Sequence, residues 1–242
     1  MNVARSGRTA STVYPWLEKG SIRMKTRACL LLHGFTGGPY EIEPLAKHLR
    51  ELGWTCRIPT LAGHGGDLHR LGFVKRSDWI GSAEMAAGEL TNLYGSFDLI
   101  GFSMSGLIAA YLANRYPVRK LILLNAAVIY ISPRRLADSI RHNIRRRDFS
   151  EYVRKNGTPF SAVVQFMRLV HELKPEFAKV KIPSLVIQGG RDHVVHPGSA
   201  RFIMSRLAGP KELRVYPDSR HMICSECEAD EVFAAVQNFL AD

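Results

Sequence analysis

The sequence predicts an α/β protein: a mostly parallel, twisted sheet with helices on both faces and a small helical cap inserted in its second half. Three observations carry this reading. From residue 27 onward, short apolar runs of strand length alternate with amphipathic segments of helical period, the pattern of βαβ units. The first of these runs, Ala28 to Leu32, is apolar throughout, as a strand covered on both faces must be. Between Tyr130 and Val180 the alternation lapses into two successive helical patterns, which reads as an insertion between two core strands. With 242 residues the chain fits one domain spanning 1–242, with the cap at about 131–178.

The elements follow in order. After the strand Ala28 to Leu32, residues Tyr40 to Leu52 place Ile42, Leu45, Leu49 and Leu52 at helical spacing, and Gly53 supplies a C-terminal stop. Thr55 to Ile58 is a second strand, ended by Pro59. A glycine-rich loop with Gly63, His64, Gly65 and Gly66 precedes a helix for which Ser77 is the candidate cap and which reaches about Leu93. Phe97 to Phe102 forms a strand that runs almost without linker into a helix over Leu107 to Arg115. Further strands are predicted at Leu121 to Leu124, Leu185 to Gln188 and Leu213 to Tyr216, and a terminal helix at about Ala229 to Leu240.

Composition narrows the class. With 46% hydrophobic and 23% charged residues, the chain reads as an ordinary globular protein. It has no apolar run of transmembrane length and no secretory apolar stretch near its N-terminus, so a cytoplasmic location is expected. Four scattered cysteines do not make a disulfide framework. Cys224 and Cys227 have CxxC spacing but no second ligand pair elsewhere, so neither a metal nor a redox centre is expected.

The net charge of +11 raises the question of an acidic partner. Eight cations between 131 and 155, among them Arg145, Arg146 and Arg147, face only three carboxylates there. A solvated helix face is the ordinary fate of such a run; a docking surface for an acidic carrier protein or an anionic surface is the sharper reading. Nucleic acid is not expected, since no zinc-finger or RNA-binding motif accompanies the charge.

The chemistry concentrates at GFSMSG, residues 101–106. A serine hydroxyl is a weak nucleophile at neutral pH, and it needs rigid presentation, a base within reach and donors aimed at the developing oxyanion. A serine on a sharp strand-to-helix turn meets the first need, with small residues required two positions away because the two backbones crowd together. Gly101 and Ser105 stand at those positions around Ser103. An acid and a base should then follow, each on a loop after a later strand. Asp192 follows Leu185 to Gln188, and His221 follows Leu213 to Tyr216; Asp218, three residues before His221, is a rival for the orienting carboxylate. The loop after the first strand reads HGFTGGP, whose glycines let the Phe35 amide turn toward the pocket as one oxyanion donor, with the Met104 amide as the other. His33 is read as structural.

HGFTGGP, the GHG loop at Gly63 to Gly65, GFSMSG, GGRDHVV and SRHM together resemble the small bacterial carboxylesterases and monoacylglycerol lipases of the α/β-hydrolase superfamily, over residues 27–242. The resemblance implies the α/β-hydrolase fold and hydrolysis of short-to-medium acyl esters or monoglycerides, without cofactor or metal. Carried over by position, Ser103, Asp192 and His221 are the triad, and Phe35 and Met104 the oxyanion donors. Ser105 in place of glycine and a short, basic cap are departures that bear on substrate rather than chemistry. Phe160, Val163, Val164 and Met167 of the cap are candidates to line the acyl site. Two rival readings are a hydrolase of carrier-bound thioesters or methyl esters, and a non-catalytic binding protein that kept the pocket.

Overall fold

A computed structural model describes residues 27–129 and 158–241. Among them lie six strands, β1 (Ala28–Leu32), β2 (Thr55–Arg57), β3 (Phe97–Phe102), β4 (Val118–Leu124), β5 (Ser184–Gly189) and β6 (Lys211–Tyr216). They form one sheet in the order β2-β1-β3-β4-β5-β6, and every neighbouring pair is parallel. The helices are α1 (Glu43–Glu51), α2 (Arg76–Tyr94), α3 (Ser105–Ala113), α4 (Phe160–Leu173), α5 (Gly198–Arg206) and α6 (Ala229–Ala241).

The unbroken apolar character of β1 now has its cause. Successive side chains point to opposite faces of a sheet. Leu30 and Leu32 pack with Leu99, Leu121 and Leu123 beneath α2, α3, α4 and α5. Cys29 and Leu31 pack with Ile100, Phe102, Ile122 and Leu124 beneath α1 and α6. Both faces are therefore buried, and a polar residue at either parity would lose its water.

The topology also fixes where a site can form. From β1 the chain steps outward to β2, then crosses back to β3 on the other side of β1. The loops leaving the carboxyl ends of β1 and β3 thus diverge and open a crevice, the usual ligand position in such sheets.

Element boundaries differ from expectation where charge or proline intervenes. The helix expected over residues 40–52 is broken into a 3-10 turn at Pro39–Glu41 and α1, because Pro44 lacks an amide hydrogen and fits only in a helix's first turn. Gly53 ends α1 as expected, at φ +89°. Helix α2 starts at Arg76, before the expected cap Ser77; the Asp78 carboxylate instead accepts the Lys75 amide at 2.8 Å. Strand β4 begins earlier than its apolar run, since Arg119 bonds the buried Asp98 and the Lys120 ammonium donates to the Phe239 carbonyl at 2.7 Å.

Of the cap predicted at about 131–178, residues 130–157 lie outside the described residues, and with them the basic run containing Arg145, Arg146 and Arg147. The remainder forms α4 and a 3-10 turn at Lys174–Lys179. Glu176 moors that turn to α3, accepting from Asn114 and Lys179 at 2.8 Å and Arg115 at 2.9 Å. Burial alone would raise its pKa, but these donors outweigh burial and hold it at about 2.

Candidate active site

Ser103 sits at the end of β3 with φ +52°, in the left-handed region that serine enters only when held there. The surroundings hold it. Its amide donates to the Leu124 carbonyl at 2.9 Å, and its carbonyl accepts from the Gly106 and Ala127 amides at 3.1 and 3.0 Å. The small-residue requirement falls on Gly101 and Gly106. A Cβ at Gly101 would lie 2.5 Å from the Ser105 carbonyl oxygen, and one at Gly106 would lie 2.5 Å from the Ala126 Cβ. Ser105 is tolerated because its hydroxyl turns away and donates to the His33 carbonyl, tying the turn to the end of β1.

The three residues that sequence places on separate loops meet here. His221 Nε2 lies 3.0 Å from Ser103 Oγ, and His221 Nδ1 lies 2.8 Å from Asp192 Oδ2. Asp192 is fixed in turn: its Oδ1 accepts the Val194 and Val195 amides at 2.8 and 2.9 Å. Asp218, the rival acid, is exposed and pairs with Arg191 at 2.7 Å, so it does not hold the imidazole. Burial would lower the pKa of His221, but the Asp192 carboxylate outweighs burial and raises it above the ordinary histidine value.

The loop after β1 borders the same point. Among the described residues, neither the Phe35 nor the Met104 amide has a hydrogen-bond acceptor. His33 lies beneath, buried, with Nε2 accepting the Leu61 amide at 3.1 Å. Burial and the neighbouring His64 lower its pKa to about 4, so it is neutral and structural.

Comparison with known proteins places this geometry. The family described as alpha/beta hydrolase fold matches residues 28–162, and the serine aminopeptidase S33 family matches residues 129–228. The chain belongs to the alpha/beta hydrolase fold family. It is 29% identical over 225 residues to a thermostable monoacylglycerol lipase of Bacillus sp. (strain H-257), covering 88% of this chain and 89% of the relative. It is 25% identical to a carboxylesterase of Bacillus subtilis (strain 168), covering 95% and 96%. Among solved structures, one described with LipS and LipT, two metagenome-derived lipolytic enzymes, superposes with a TM-score of 0.77 at 24% identity, covering 89% of this chain and 94% of that one.

Two residues of this alpha/beta hydrolase escape sequence reading. Asn125, at φ +45° just past β4, joins the two loops of the acid and the base. Its Oδ1 accepts the Gly189 amide at 2.7 Å, and its Nδ2 donates to the Arg220 and His221 carbonyls at 3.1 and 2.8 Å. Only a short apolar strand ending in a lone polar residue signals it. Replacing Asn125 with Ala leaves those buried groups unpaired, so a loss of about 2–4 kcal/mol in unfolding free energy is expected, checked by urea denaturation. The second is Glu41, buried under the loop of Phe35; its only sequence signal is an acid beside a glycine run.

The cap helix turns differently from the stripe predicted. Its buried face is Ala162, Val163, Phe166, Leu169, Val170 and Leu173, which shares Val163 and Val170 with the expected one-sided stripe of Phe160, Val163, Val164, Met167 and Val170. Phe160 is 82% exposed. Val164 and Met167 line, with Arg76, Arg168, His171 and Glu172, a cavity of about 570 Å³. The reason is the partner surface: Phe166 stacks on Phe35 with ring centroids 5.1 Å apart, and Phe35 meets Trp79 edge-on at 5.7 Å.

Among the described residues, no cluster of three or more His, Cys, Asp or Glu could hold a metal ion, and no helix is long and apolar enough to cross a membrane. Cys224 is buried and Cys227 exposed, both as free thiols.

Proposed function

We propose that this alpha/beta hydrolase cleaves carboxylic esters through an acyl-enzyme, with Ser103 as nucleophile, His221 as general base and acid, and Asp192 as orienting carboxylate. The observation that carries the proposal is the unbroken hydrogen-bonded chain from the Ser103 hydroxyl through both ring nitrogens of His221 to a buried carboxylate. As Ser103 Oγ attacks the carbonyl carbon, its proton passes to His221 Nε2. The Phe35 and Met104 amides receive the oxyanion. His221 then protonates the departing alcohol, and water repeats the sequence on the acyl-enzyme.

The substrates are short-to-medium acyl esters, including monoacylglycerols. The two bacterial relatives, a monoacylglycerol lipase and a carboxylesterase, support the ester class, and the Phe35 ring stacked on Phe166 supplies apolar surface next to the loop of the proposed oxyanion donor.

The test is hydrolysis of nitrophenyl esters from acetate to laurate, and of monoacylglycerols, across pH. His221 acts as base only when unprotonated, and its pKa is raised, so kcat/KM should climb with pH through an inflection above 6.5, the ordinary histidine value. Absence of turnover on every ester, or a rate independent of pH through that range, would sink the reading.

A further inference from the structure

Glu41 is a carboxylate that neither the fold nor the reaction just described requires. It is buried in the 3-10 turn before α1, where an apolar residue would cost less. Its Oε2 accepts the Gly34 amide at 2.8 Å, and its own amide donates to the Gly38 carbonyl at 3.1 Å. Glu41 therefore holds the Phe35–Thr36–Gly37 stretch at both ends, at Gly34 through its carboxylate and at Gly38 through its amide. Contact with the inside of that stretch is equally close, for a Cβ at Gly37 would fall 2.1 Å from the carboxylate. The grip matters because Thr36 is held at φ +64°, which a free loop would abandon.

The same carboxylate is close to the reacting atoms. A Cβ built on Gly34 would lie 3.2 Å from both Glu41 Oε2 and Ser103 Cβ, so the carboxylate and the Ser103 side chain flank the space that the missing Gly34 side chain leaves. The titratable groups facing Glu41 are His221 from the loop after β6, Cys224 behind that loop, and Tyr40 from its own turn. Only His221 among them becomes a cation.

We propose that Glu41 is a positioning residue for both halves of the reaction: its carboxylate fixes the loop that aims the Phe35 amide, and its charge favours the imidazolium of His221. The inference rests on the triad and oxyanion roles proposed above. Removing the charge lowers the proton affinity of His221, and loosening the grip lets the Phe35 amide drift from the oxyanion. A mispositioned donor is felt in kcat more than in KM, since the full charge exists only in the transition state.

Burial holds the Glu41 carboxyl at a pKa of about 7 against an ordinary 4.5. Between those values the folded chain binds a proton that the unfolded chain has released, so stability from this group falls as pH rises through the window. A neutral replacement of equal size should therefore not destabilise the enzyme above pH 7. Structure and catalysis thus predict opposite behaviour of one variant.

The experiment is E41Q in the full chain, with E41D beside it, measured by ester hydrolysis across pH and by thermal melting at pH 8. E41Q should melt no lower than wild type, lose roughly tenfold or more in kcat with KM changed by less than about threefold, and show the acid limb of kcat/KM moved to lower pH. E41D keeps the charge without the reach, so it should keep the wild-type acid limb while losing kcat. An E41Q enzyme with wild-type kcat, or with an unshifted acid limb, overturns the proposal. Wild type that hydrolyses no ester defeats the triad reading first, and this inference with it.

Discussion

Ser103→Ala should abolish ester turnover, lowering kcat by roughly 10⁴- to 10⁶-fold while leaving the fold intact. In the proposed mechanism the Ser103 oxygen becomes covalently linked to the acyl group, and no other side chain at the end of β3 can replace it: Met104 is apolar, and the Ser105 hydroxyl is committed to the His33 carbonyl. The residual rate expected is that of the proposed oxyanion donors, the Phe35 and Met104 amides, which the substitution does not touch. A fluorophosphonate probe should label wild type and fail to label the variant. Ser103→Gly sharpens the point. Glycine adopts φ +52° without the steric cost that a Cβ imposes, so this variant should be as inactive as Ser103→Ala and more stable than it by about 1 kcal/mol in urea denaturation. An inactive enzyme that gains stability at its nucleophile would show that the strained conformation is kept for chemistry. Labelling of Ser103→Ala at the wild-type rate would assign the nucleophile elsewhere.

What could be read from the sequence follows from how local each cause is. The central strands are legible because both faces are covered, so Ala28–Leu32 is apolar throughout and Phe97–Phe102 is interrupted by a single charge, Asp98, which Arg119 neutralises. Ser103 is legible for the same reason: the crowding that excludes a Cβ at Gly101 acts between neighbours in the chain and leaves its mark within six residues. The meeting of Ser103, Asp192 and His221 is less local, but parallel topology brings every loop after a strand to one edge of the sheet, so chain order alone carries much of it. The inward face of the cap helix is legible only in part, through Val163 and Val170. Periodicity fixes the width of an apolar stripe but leaves its rotation open by a residue when both sides are apolar, and here the rotation is decided by Phe35, more than a hundred residues away. Asn125 and Glu41 were hidden for a related reason. Each is a polar residue whose partners are backbone groups of distant loops, and backbone groups leave no signature in the side-chain pattern.

Asp192→Asn should cost roughly 10⁴-fold in kcat, although it changes a single atom and preserves every volume. Asp192 uses its two oxygens differently. Oδ1 accepts the Val194 and Val195 amides, so an asparagine in this site keeps its carbonyl oxygen there, where two N–H donors would repel an NH₂ group. Its NH₂ is thereby turned toward His221 Nδ1, 2.8 Å away, where the wild-type carboxylate oxygen accepts. The ring must now present Nδ1 as the acceptor and carry its hydrogen on Nε2, facing the Ser103 hydroxyl at 3.0 Å. In that tautomer the imidazole cannot take the serine proton. The imidazolium also loses its largest source of stabilisation, so the pKa of His221 should fall from its raised value. Two measurements check the argument independently of rate. Nitrogen-detected NMR of the histidine should report the hydrogen on Nδ1 in wild type and on Nε2 in the variant, and the acid limb of the residual kcat/KM should move to lower pH. An Asp192→Asn enzyme with wild-type kcat would mean that another group orients the imidazole, and with Asp218 paired to Arg191 on the surface, the buried Glu41 would be the next carboxylate to substitute.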